Sequence, residues 1–114
     1  MSSHQHSRRE EDRFAVALPV KIYSENKERA RAEWTCTYQV SSRGARLRHV
    51  STVTEVGQEI WIQRNTRKAK YRVTWIGQSK TGTDMQFGAE RVESKLIWDD
   101  DLRKKLKHTN GDTK

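Results

Sequence analysis

Ala32-Glu33-Trp34-Thr35-Cys36-Thr37-Tyr38-Gln39-Val40, followed at once by Ser41-Ser42-Arg43-Gly44, is the stretch on which the fold turns. Ala32, Trp34, Cys36, Tyr38 and Val40 fall on one parity, and Arg31, Glu33, Thr35, Thr37, Gln39 and Ser41 fall on the other. A period of two marks a half-buried β-strand, because successive side chains leave opposite faces of the pleat. The alternation predicts Trp34, Cys36, Tyr38 and Val40 inside and the polar set outside. Ser41 to Gly44 reads as a turn, for which Ser and Gly are ordinary choices. Ala45 and Leu47 then resume the inward face while Arg46 and Arg48 point out, which makes a hairpin with a basic outer surface.

The same period runs through the rest of the middle of the chain. Upstream, Phe14, Val16, Leu18, Val20 and Ile22 share a parity. Pro19 offers no N–H, so this strand should lie at an edge or turn its proline nitrogen out of the ladder. A polar turn is expected from Ser24 to Arg29. Downstream, after a turn at Thr54 to Gln58, Ile60 and Ile62 mark a short strand with Trp61 on its outer parity. Asn65-Thr66 reverses the chain, and Ala69, Tyr71, Val73 and Trp75 alternate with Lys68, Lys70, Arg72 and Thr74. Another turn, Gly77 to Gly82, precedes Met85, Phe87 and Ala89. Strands this short and this closely spaced predict an all-β fold, a closed or nearly closed six-stranded antiparallel barrel. The period then changes: Trp98, Leu102 and Leu106 are spaced by four, with Asp99 to Asp101 early and Arg103, Lys104, Lys105 and Lys107 late. That charge order suits a helix dipole. A helix of about ten residues is marginal alone, so its apolar stripe should cap one end of the barrel.

At 114 residues the chain has the length of one ordinary domain. Residues 8–107 are read as the barrel domain, with polar tails at 1–7 and 108–114. Hydrophobic residues make up 32% and charged residues 33%, so the core must rest on a few large side chains, and Trp34, Trp75 and Trp98 are assigned to it. Lys and Arg outnumber Asp and Glu by 23 to 15, for a net charge of +8, which attracts anionic ligands over long range. The single cysteine, Cys36, excludes an internal disulfide and is expected to be a buried thiol. No stretch reaches the apolar length of a membrane span, and the N-terminal region has no apolar signal core, so a cytoplasmic location is expected. The four histidines are scattered, which speaks against a metal site. No nucleophile has a paired base and no glycine loop is built to cradle phosphate, so neither catalysis nor a resident cofactor is expected.

Two segments in order carry the functional reading: Arg8-Arg9-Glu10-Glu11-Asp12-Arg13 before the first strand, and Gln39-Val40-Ser41-Ser42-Arg43-Gly44 at the end of the second. Together they resemble the PilZ family, whose pattern is Arg-x-x-x-Arg and then, about thirty residues later, Asp/Asn-x-Ser-x-x-Gly. Arg9 and Arg13 match the first motif; Ser41 and Gly44 match the second; Arg8 is adjacent and can substitute in register. Leu18-Pro19-Val20, Arg72-Val73-Thr74-Trp75-Ile76-Gly77 and Phe87-Gly88 resemble further parts of the family's barrel, and the resemblance spans residues 8–107. It implies a receptor for cyclic di-GMP that passes a signal to an effector protein. Arginine suits that ligand because its planar fork grips phosphate oxygens or guanine O6 and N7. The departure is Gln39, which stands where the family has Asp or Asn. It keeps the acceptor but adds a methylene and a rotor, and losing one good bidentate contact costs about 1–3 kcal/mol.

Other readings stay open at this point. The arginines before the first strand also suit a solvated basic tail, and Ser41 with Gly44 a plain hairpin turn. Gln39 favours a degenerate PilZ domain that works by protein contact without nucleotide. A nucleic-acid-binding barrel is allowed by the charge, but the alternation leaves no aromatic pair on one outer face to support it.

Overall fold

The computed structural model describes residues 13–24, 32–78, 82 and 84–104. Six antiparallel strands, β1 (Pro19–Ser24), β2 (Glu33–Val40), β3 (Gly44–Arg48), β4 (Glu59–Arg64), β5 (Arg67–Gln78) and β6 (Met85–Arg91), close into a barrel in the order β1-β2-β3-β6-β5-β4. A short helix, α1, is described over residues 99–104. The expected all-β barrel with a C-terminal helix is therefore what the chain forms. The sheet order sets the β1–β4 seam and the β3–β6 seam on opposite walls.

The core is the inward parity of each strand. Val20 and Ile22 of β1, Val40 of β2, Leu47 of β3, Ile60 and Ile62 of β4, Ala69, Tyr71 and Val73 of β5 and Phe87 and Ala89 of β6 are all buried. The connection from β3 to β4, residues 49–58, must cross one end of the barrel, and it buries Val53 there with Val50 packed beside it. The other end is closed by Ile97 and Trp98, which lead into α1, and by Leu102 within it, so the Trp98–Leu102 part of the predicted stripe caps the barrel. Trp98 stacks at a tilt on Tyr71, ring centroids 5.5 Å apart, and its carbonyl accepts the first helical bond from Leu102 N–H.

Two local features of the first strand follow from chemistry. Thr37 N–H donates to the Leu18 carbonyl, which leaves the neighbouring Pro19–Cys36 pair without ladder bonds and turns the proline nitrogen toward β4, where pairing begins only at Lys21. Pro19 thus sits where no donor is required. The strand itself starts later than the alternation suggests: Phe14 pairs with Val40 as an isolated bridge, and regular β1 begins at Pro19. At the β4–β5 turn Asn65 takes φ 57°, a left-handed conformation that asparagine tolerates.

Two β-bulges overturn part of the inward and outward assignment. The β2–β3 register runs Thr37↔Leu47 and then Gln39↔Arg46, so β2 carries one extra residue. Val40 faces the core as expected, but upstream of the bulge the parity is inverted. Thr37 is fully buried while Trp34 is 65% exposed. Cys36 is only partly buried, not the buried thiol its apolar neighbours suggested. Likewise β5 gains a residue between Val73↔Ala89 and Trp75↔Gly88. Trp75 is thereby expelled to the outside, 39% exposed, and Ile76 packs against the core in its place. Of the three tryptophans assigned to the core, only Trp98 is there.

The tails 1–7 and 108–114, Arg31 and Leu106 lie outside the described residues, as does most of the turns expected at Ser24 to Arg29 and Gly77 to Gly82. No helix among the described residues is long and apolar enough to cross a membrane.

Candidate functional site

The two bulges act on one row of the barrel. Across β2, β3, β6 and β5 the register pairs Gln39 with Arg46, Arg46 with Gly88 and Gly88 with Trp75. The next row, Val40, Ala45, Ala89 and Val73, points toward the core. Each bulge adds one residue and so flips the parity beyond it. Without them Gln39 would share the inward face of Thr37, and Trp75 that of Val73. With them, both stand on the outer wall with Arg46 between them. Gly88 has no side chain, and the Trp75 indole fills that space; a Cβ on Gly88 would fall 2.0 Å from the indole Nε1.

Around this row lies an open cleft of about 440 Å³, lined by Arg13, Gln39, Ser41, Arg43, Arg46 and Trp75 together with the backbone of Gly44 and Gly88. That volume is in the range of small-molecule sites. Three guanidinium groups face one carboxylate, Glu90, so the cleft favours an anion. Arg13 comes to the cleft because its neighbour Phe14 exchanges both backbone hydrogen bonds with Val40, at 2.8 and 2.9 Å. Arg8 and Arg9, the other arginines of the candidate site, lie outside the described residues.

Ser41 and Gly44 have a definite structural task in the turn. Ser41 N–H donates to the Gly44 carbonyl at 2.9 Å, and the Ser41 hydroxyl oxygen accepts from the N–H groups of Arg43 and Gly44, each at 3.2 Å. Gly44 is required by β6: a Cβ there would meet the Ala89 carbonyl oxygen at 2.1 Å. The Ser41 carbonyl accepts from Trp98 Nε1 at 2.8 Å, which ties the turn to the residue that begins the cap. The Ser-x-x-Gly segment is thus a turn, and the same turn forms one rim of the cleft.

In sequence Trp75 reads as a core residue and Arg46 as an outward-facing charge, and neither they nor Arg43 stand out as site residues, yet all three line the cleft. A signal for Trp75 existed. Val73, Trp75 and Ile76 are all apolar, and two adjacent apolar residues break strict alternation, which marks a bulge. No comparable break is visible in β2, where Trp34, Cys36, Tyr38 and Val40 alternate without interruption.

No family model matches the chain, and no curated protein matches it. Among solved structures, the inhibitor of motility MotI/DgrA of Bacillus subtilis superposes with a TM-score of 0.59 at 18% sequence identity, over 84% of this chain and 46% of that one. The chain spans less than half the length of that neighbour. At this identity the likeness is one of fold: the barrel is PilZ-like in architecture.

Proposed function

We propose that the chain is a PilZ-type receptor for cyclic di-GMP, acting in the bacterial cytoplasm as a small adaptor and not as an enzyme. The observation that carries this reading is the convergence on one cleft of Arg13 from the first motif and Gln39, Ser41 and Arg43 from the second, joined there by Arg46 and Trp75. In this reading Arg13, with Arg9 or Arg8 from the preceding segment, forks onto the phosphates. Trp75 offers its exposed ring to a guanine, and the Gln39 amide oxygen accepts from the guanine's N1–H and N2–H. Gly88 leaves room for the Trp75 indole to lie along the wall, and Gly44 lets the turn at the cleft's rim approach β6. A ligand held by the Ser41 turn would bear on Trp98 through the Ser41 carbonyl, and so alter the capped end shown to an effector protein.

Calorimetric titration of the full chain with cyclic di-GMP tests this. Binding is expected, with Arg13→Ala and Trp75→Ala each weakening it by about tenfold or more, the loss of one good contact. Absence of heat and of any thermal shift at near-millimolar nucleotide in low salt would overturn the reading.

A further inference from the structure

The wall opposite the cleft carries a different chemistry. Its outward residues form two rows, Trp34, Lys21, Gln63 and Lys68 across β2, β1, β4 and β5, and Tyr23, Trp61 and Lys70 across β1, β4 and β5. Rings and ammonium groups interleave along them. Lys21 Nζ lies 5.0 Å from the Trp34 centroid, Lys68 Nζ 5.4 Å from both Tyr23 and Trp61, and Lys70 Nζ 5.3 Å from Trp61. Three lysines thus make four contacts with three rings on a single wall, each within the reach of a cation–ring attraction.

These side chains are held in place, with Trp34 and Lys68 exposed and Lys21, Tyr23, Trp61 and Lys70 half-buried. Tyr23 Oη donates to Gln63 Oε1 at 3.0 Å, and Gln63 Nε2 donates to the Asn65 carbonyl at 2.9 Å. Trp34 is 65% exposed with a cation beside it, and Lys68 is exposed. Glu59, on the outer face of β4, is engaged by Arg72 at 2.8 Å and by Lys70 at 3.8 Å, and Glu93 accepts from the Lys70 backbone N–H at 2.9 Å.

We propose that this wall binds single-stranded nucleic acid, its bases stacking on Trp34 and Trp61 and its phosphates drawn to Lys21 and Lys68. Every base has a flat face, so an exposed indole accepts bases without regard to sequence, and flanking cations follow the backbone. A duplex keeps its bases stacked inside and cannot use the rings. The centres of protein–protein interfaces are depleted in lysine, whereas lysines occupy the centre of this patch, which favours a polyanion with planar groups over a protein partner. The net charge of +8 assists its approach. This inference is independent of the cyclic nucleotide reading, since it uses the opposite wall and none of the cleft residues.

The test is fluorescence anisotropy of the full chain with labelled oligothymidine, oligouridine and a short duplex at low and moderate salt. Both single strands are expected to bind with affinity that falls as salt rises, and the duplex more weakly. Trp34→Ala and Lys68→Ala should each weaken single-strand binding by about fivefold or more, as loss of a stacking or phosphate contact does, and Arg13→Ala should leave it unchanged. A preference for oligouridine or oligothymidine supports the proposal and names the source as RNA or DNA. Trp34 is exposed, so its removal should spare folding, and an unchanged melting temperature confirms that. Equal binding of duplex and single strand, indifference to both substitutions, competition by polyglutamate as effective as that by oligonucleotide, or no binding at low salt would each overturn the proposal.

Discussion

Trp75 lies across Gly88 on the neighbouring strand, so close that a Cβ on Gly88 would fall 2.0 Å from the indole Nε1 and 2.6 Å from Cδ1. The glycine sets where the ring rests, and the ring forms one side of the cleft. Gly88→Ala should push the indole off the wall into solvent, a move open to a side chain already 39% exposed. The expected result is a folded protein less stable by about 1–3 kcal/mol, the usual cost of overpacking, with shifted tryptophan fluorescence and, under the proposed function, weakened cyclic di-GMP binding. In a Trp75→Ala background the same glycine substitution should cost little, because the clash has gone; denaturation of the two single variants and the double variant measures that coupling.

How much of this was legible beforehand depends on where side-chain alternation stays regular. The strands β1, β3 and β4 keep one parity throughout, and their core residues, Val20, Leu47 and Ile60 among them, are the ones the period of two indicates; in β6 Phe87 and Ala89 follow it, but Met85 at the strand's start is exposed and Gln86 is buried. In β2 and β5 a bulge changes the parity midway, and a bulge is decided by the partner strand as much as by the strand's own residues. That is why Trp34 and Trp75 look like core residues in sequence and stand outside in the barrel. For the candidate site, Arg13, Gln39, Ser41 and Gly44 were visible as spaced motif residues. The part played by Trp75, Arg43 and Arg46 was not, because it arises only when β5 and β6 are brought beside β3.

Thr37 offers a direct check of the inverted face. Its hydroxyl oxygen accepts from Leu18 N–H at 2.9 Å and donates to the Val16 carbonyl, so it replaces the ladder bond missing between β2 and the segment leading into β1. Thr37→Val keeps the shape and leaves the buried Leu18 N–H without a partner. The expected loss is about 1–3 kcal/mol in chemical denaturation, with Thr37→Ser close to wild type. An outward-facing threonine would show no such loss.

The cap is fastened by one well-placed ion pair and decorated by a poor one. Arg64 at the end of β4 grips Asp101 of α1 through Nε at 3.1 Å and Nη2 at 2.9 Å, and the two side chains are only 16% and 18% exposed. Asp101 holds the Arg64 guanidinium's pKa above its ordinary value. Arg67 and Asp100 lie 3.7 Å apart with 43% and 62% exposure. Asp101→Asn should therefore cost about 1–2 kcal/mol, a charged hydrogen bond discounted for partial exposure. Asp100→Asn should stay within about 0.5 kcal/mol of wild type, as surface substitutions usually do. Equal effects of the two variants on the melting temperature would contradict this account of the cap.

Tyr71 is the group through which alkaline pH should reach the fold. It is fully buried in the barrel against Trp98, and its hydroxyl has no hydrogen-bond partner among the described residues. Burial pushes the phenol's pKa well above its ordinary value of 10.0, with Arg91 opposing only in part. The unfolded chain thus releases this proton near pH 10 while the folded chain retains it. Above that pH the unfolded state binds fewer protons than the native state, so stability falls as pH rises from about 10 toward the higher folded value, by up to about 1.4 kcal/mol per pH unit from this one group. Tyr71→Phe removes both the titration and an unpaired buried hydroxyl. It is expected to be as stable as wild type at neutral pH or more stable by about 1 kcal/mol, and its advantage should widen between pH 10 and 11. Denaturant melts of the two proteins across that range read the slope directly, and parallel curves would show that folding does not bury the Tyr71 phenol.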